Sequence, residues 1–96
     1  MITEHATLAI VPGREQEFER LFIDHVRDLF ARAPGFVSIE LHRSVERPST
    51  FVMRVGWESL EAHVNDFRES ALFTEWRELA GPYFAGPPSV EHFERV

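Results

Sequence analysis

Between Phe36 and Trp57, two runs of alternating residues, FVSIELHRS and TFVMRVGW, flank the polar turn ERPS. Alternation sets Val37, Ile39 and Leu41 on one side of the first run, against Phe36, Ser38, Glu40 and His42. In the second run Phe51, Met53, Val55 and Trp57 share a side. Two such runs around a short turn predict an antiparallel hairpin. A register centred on Arg47 places Glu40 opposite Arg54, an opposite-charge cross-strand pair. The hairpin constrains the fold strongly, because the period of two also decides which side must be covered.

Upstream, ATLAIV (residues 6–11) alternates too, with Ala6, Leu8 and Ile10 on one face and Thr7, Ala9 and Val11 on the other. Pro12-Gly13 stops that strand. From Arg14 to Arg32 the period changes: Phe18, Leu21, Phe22, Val26, Leu29, Phe30 and Ala33 follow the spacing of an amphipathic helix. Glu15 and Glu17 near its start and Arg27 and Arg32 near its end suit the helix dipole. Ala33-Pro34-Gly35 breaks it. Beyond Trp57, Ser59 is placed to cap a helix reaching about Phe67, and Ser70 to cap another over residues 71–80. Gly81-Pro82 ends that helix, PYFAGPP is loop, and SVEHFERV is a last short strand. The order β-α-β-β-α-β predicts one ferredoxin-like α+β domain over residues 1–96, an antiparallel sheet with helices on one face.

A chain of 96 residues has room for one core and buries only about 60–65% of its unfolded surface. Pairing with a second copy is one way to bury more. The face away from the helices carries Thr7, Ala9, Ser38, Glu40, His42, Val52 and Arg54, less charge than a solvated face usually shows. Homodimerisation through that face is the expectation, and an ordinary exposed face is the competing reading. The absence of cysteine excludes disulfides, thiolate nucleophiles and sulfur-ligated metals. A formal charge of −6 argues against nucleic acid and anionic membrane as partners, since both need a basic footprint. The opening MITEHATLAIVPG lacks a basic n-region and is too short to span a bilayer, so a cytoplasmic protein is expected.

No phosphate-binding glycine loop, G-x-S-x-G or HExxH is present. None of the five histidines stands four residues from another on a helix, and His63 with Asp66 is too weak a pair to argue for a metal. His25 falls in the apolar stripe of the first helix and reads as a partly buried histidine. His42 and His92 read as polar contacts on the second sheet face. His63 differs, because it sits one helical turn before Phe67 with Trp57 just upstream and Phe73 and Trp76 on the next helix. Those rings over Met53 either interlock as core or wall an aromatic cavity, and the residue pattern is compatible with both. In a cavity, the His63 imidazole is a candidate base for a phenolic proton.

Four stretches, PGREQEFERLF, PGFVSIELHRS, WESLEAH and FRESALFTEW, with the tail GPYFAGPPSVEHFE, resemble the antibiotic biosynthesis monooxygenase domain family over almost the whole chain. The resemblance implies a dimeric α+β barrel, with a pocket between sheet and helices in each subunit. It also implies an oxygenase of small phenols or quinols that uses no metal or flavin cofactor. On that basis His63 is the expected catalytic base, with Trp57, Phe67, Phe73 and Trp76 as aromatic walls and Met53 as floor. Two departures stand out. Counting back from Ser70 and Phe73, the slot where many relatives carry histidine holds Phe67. Haem-degrading relatives bind iron through a histidine on the following helix, and residues 70–81 contain none, which argues against haem. The alternative function is a non-catalytic dimer that binds a small apolar molecule in the same pocket.

Overall fold

The computed structural model describes residues 1–96. Four antiparallel strands, β1 (Ile2–Ala9), β2 (Phe36–Arg43), β3 (Thr50–Trp57) and β4 (Ser89–Glu94), form one sheet in the order β2-β3-β1-β4. Helices α1 (Glu15–Leu21), α2 (Arg27–Ala31) and α3 (Ala71–Ala80) complete the ferredoxin-like α+β arrangement. The hairpin register places Glu40 opposite Arg54, as centring on Arg47 predicts.

β1 starts four residues before the alternation beginning at Ala6 suggests, so it includes Glu4 and His5. The inward set is therefore Glu4, Ala6, Leu8 and Ile10, all buried. In β2 the expected inward position of Val37 is overturned. The register shifts between Phe36, which pairs with Trp57, and Ser38, which pairs with Gly56. Val37 is the extra residue of this bulge and is exposed, while Phe36 packs edge-on against Trp57.

The first helical run is continuous but not uniform. Phe22–Val26 joins α1 to α2 as a π-helical segment. A π turn takes more residues than an α turn, so every later side chain is rotated relative to a 3.6-residue count. His25, expected partly buried, is exposed for this reason, while Phe22, Val26, Leu29 and Phe30 stay on the core side. A second π segment, Ala62–Phe67, carries His63. Ser59 accepts a hydrogen bond from the Ala62 N–H at 3.2 Å, the capping role expected of it. Ser70 occupies the N-cap position of α3, but its hydroxyl donates to the Phe67 carbonyl at 2.6 Å and caps nothing.

Phe18, Phe30, Phe51, Met53, Val55, Trp57 and Phe67 fill the space between sheet and helices. Gly35 ties the two layers together. It holds φ at +81°, and a Cβ there would lie 2.6 Å from the Ala62 side chain. Only glycine combines that backbone with so close an approach.

Candidate functional site

Glu4 enters the site from a central strand of the sheet. Its partners across the sheet are Val55 on β3 and His92 on β4. Directly opposed residues of antiparallel strands project to the same face. Glu4 and His92 therefore both face the helices, which corrects the assignment of His92 to the second face. β4 is too short and mixed for its own alternation to fix its parity; pairing with β1 decides it. His42 does lie on the second face, exposed and 2.9 Å from Glu40.

Four side chains form a continuous polar chain on this covered face. The Trp57 indole N–H donates to Glu4 Oε1 at 3.0 Å. His63 Nε2 lies 3.3 Å from the same oxygen. His63 Nδ1 in turn shares a 2.7 Å hydrogen bond with Nε2 of His92, which is half-buried. Glu4 and His63 are each only 3% exposed. The His63 ring also stacks on Trp57, with centroids 5.2 Å apart and planes 13° from parallel.

Burial sets the protonation of the chain. Loss of water pushes the Glu4 carboxyl up to about 7, against the Trp57 hydrogen bond and the positive charge of Arg68, which both lower it. Loss of water pushes His63 down to about 4, with Arg68 and His92 adding to the shift. His92 is lowered by its burial and by Arg68. Near neutral pH both imidazoles are therefore neutral, and Glu4 is the group poised to exchange a proton. A neutral His63 has one ring N–H and one acceptor nitrogen. Taking a proton from Glu4 at Nε2 while releasing one from Nδ1 to His92 would pass charge outward with no movement of the ring.

Beside this chain is a cavity of about 560 Å³, within the size range of small-molecule sites. Glu4, Ala6, Leu8 and Met53 form the sheet side, and Phe30, His63, Phe67, Phe73 and Trp76 the helical side. Arg68 and Arg77 also line it. The rings support one another: Phe30 lies 4.8 Å from Phe67 and 5.3 Å from Trp76, and Phe67 lies 5.7 Å from Phe73. Full interlocking of the aromatics, the void-free alternative, is not what the packing gives. Five of the six residues singled out from the sequence, Met53, His63, Phe67, Phe73 and Trp76, come together around this space. Trp57 does not line it. Opposite Ile2 and Phe36 at the end of the sheet, it is fully buried behind His63 and serves as a support and a donor to Glu4.

Sequence reasoning missed Glu4. The signal was available: extending the alternation of Ala6, Leu8 and Ile10 back by one step lands on it. A lone carboxylate on an apolar face otherwise reads as the end of the strand.

A ferredoxin-like sheet, covered on one face by helices that enclose a ligand-sized aromatic cavity, defines the class of this protein. Residues 1–79 match the antibiotic biosynthesis monooxygenase family, and the chain belongs to that family. It is similar to a Bordetella bronchiseptica protein assigned to the same family, with 45% identity, a TM-score of 0.94, and coverage of 99% of this chain and 96% of that one. The uncharacterized protein YczJ of Bacillus subtilis (strain 168) is 34% identical over 96 residues, the full length of both. At the level of fold alone, the chain is similar to the Streptomyces coelicolor monooxygenase ActVA-Orf6, solved in complex with nanaomycin D. That likeness has a TM-score of 0.82 and 24% identity, covering 99% of this chain and 87% of that chain. No helix of the protein is long and apolar enough to cross a membrane.

Proposed function

We propose that the protein is a cytoplasmic, cofactor-independent monooxygenase of a small phenolic or quinol-type aromatic, bound between sheet and helices. The observation that carries this reading is the meeting, at one aromatic cavity, of a buried carboxyl able to exchange a proton near neutral pH and an imidazole leading outward. Family membership and the fold of ActVA-Orf6 support it.

In this scheme Glu4 and His63 act as one proton-accepting unit. His63 was the base expected from the sequence; the desolvation that lowers it favours Glu4 as the first acceptor and His63 as the exit toward His92. Met53, Phe67, Phe73 and Trp76 hold the ring flat, and Trp57 holds Glu4 and His63 in place. Deprotonation makes the ring electron-rich enough to reduce oxygen itself. The balance closes without a further reductant: a quinol and one O2 give a hydroxyquinone and one water. One oxygen atom replaces a ring hydrogen as hydroxyl, the quinol is oxidised to the quinone, and the second oxygen atom leaves as water.

Oxygen uptake over a panel of anthrones, quinols and catechols tests the reading, with Glu4→Gln and His63→Ala beside the wild type. Uptake that falls about a hundredfold or more in Glu4→Gln is expected, since positioned general bases contribute at least that much. Uptake unchanged in both variants removes this base. A second reading, a non-catalytic binding module, has one specific observation behind it: both ring nitrogens of His63 are engaged inside the protein. Binding of panel members with no uptake by any protein selects it.

The sheet face opposite the helices is proposed as a homodimer interface. Thr7, Glu40, His42 and Arg54 are exposed on it, and Phe93, 44% exposed, packs 4.6 Å from His5 there.

A further inference from the structure

We propose that the preferred ligand is a phenolic aromatic acid, whose carboxylate is held by Arg68 and Arg77 while its hydroxyl faces Glu4 and His63. This deepens the reading of the cavity given above and rests on it.

The chain has 16 acidic residues against ten basic ones, all arginine, and four of the ten guanidinium groups are ion-paired. Arg14, Arg20, Arg32 and Arg43 are each paired, with Glu17, Asp24, Glu75 and Glu19. Of the six arginines without an ion pair, Arg68 and Arg77 are the two that line the cavity. Arg77 keeps its guanidinium 5.9 Å from the Phe73 ring, itself a wall residue. Two cations at one apolar cavity, neither held in an ion pair, offer N–H donors and positive charge to a planar carboxylate.

The rest of the cavity fixes which way the acid lies. Besides the two arginines, the only ionisable groups lining the cavity are Glu4 on the sheet side and His63 on the helical side, with His92 behind them. The imidazoles are neutral at working pH, so neither attracts an anion, and an ionised Glu4 would repel it. Arg68 and Arg77 are exposed side chains, so they pay little desolvation to receive a charged group. The chain as a whole carries −6, and a local pair of arginines is what lets an anion approach this point. Polarity therefore orients the ring, with the acid outward and the hydroxyl at the proton acceptor.

Calorimetric titration of the full chain with 6-hydroxy-2-naphthoate, 6-hydroxy-2-naphthamide and 2-naphthol tests this, since binding is read without turnover. The acid is expected to bind the wild type about ten- to a hundredfold more tightly than the amide, a preference that weakens with added salt. In an Arg68→Gln, Arg77→Gln double variant the acid should fall to the affinity of the amide, with the amide and 2-naphthol unchanged. Equal binding of acid and amide to the wild type, or a preference that survives the double substitution, overturns the arginine assignment and leaves the phenol cavity standing. No binding of any of the three removes both.

Discussion

Glu4 and His63 are displaced in opposite directions by the same cause, and their effects on stability oppose each other. Glu4 is raised from 4.5 to about 7, so its contribution is complete below its unfolded value and is lost as pH climbs through about 7. His63 is lowered from 6.5 to about 4, so its contribution is present above its unfolded value and is lost as pH falls toward 4. Between pH 4.5 and 6.5 the folded and unfolded chains each hold one proton on this pair, and the two slopes cancel. Removing one partner exposes the other. Relative to the wild type, Glu4→Gln should gain stability with rising pH across that window, by up to about 1.4 kcal/mol per unit, and His63→Gln should lose it at a similar rate. His92 and Arg68, the other titratable and charged groups facing the pair, are present in all three proteins. Urea unfolding at three pH values measures it; parallel curves for the three proteins would mean that the pair is not desolvated.

At the scale of elements, the informative features are the two places where the helical period slips. A 3.6-residue count through the first helix puts His25 beneath the core, and the π segment at Phe22–Val26 turns it out to solvent. Nothing in the spacing of apolar residues announced this, because Phe22, Val26 and Leu29 satisfy either count. His25→Ala should change stability by less than about 0.5 kcal/mol, whereas its neighbour Val26→Ala should cost about 2 kcal/mol. A large loss at His25 would restore the regular helix. The junction between sheet and second helical layer makes a sharper demand. Gly35→Ala must put a side chain at φ +81° and 2.6 Å from Ala62, so a loss of about 2–4 kcal/mol in urea unfolding is expected. A cost below about 1 kcal/mol would show that the Ala62 segment yields freely.

For the whole molecule, the sheet has one covered face and one open face, and the open face is the proposed dimer interface. Val52, opposite Thr7 and His42, lies at its middle. A dimer in light scattering is expected for the wild type, and Val52→Lys should yield a folded monomer with a Tm several degrees lower. A monomeric wild type would end the dimer proposal. The sequence by itself determined the element order, the hairpin register and five of the residues that gather at the cavity. All of that follows from periods of two and 3.6 and from turn chemistry within short windows. Only the tertiary structure decided the chemistry of the site. Trp57 meets Glu4 across 53 residues and His63 meets His92 across 29. No local pattern carries such a pairing, because it depends on which strands neighbour each other and where a π turn points one ring. Whether the aromatics enclose a space or fill it was decided there too, since packing depends on the distance between layers and not on the order of residues along them.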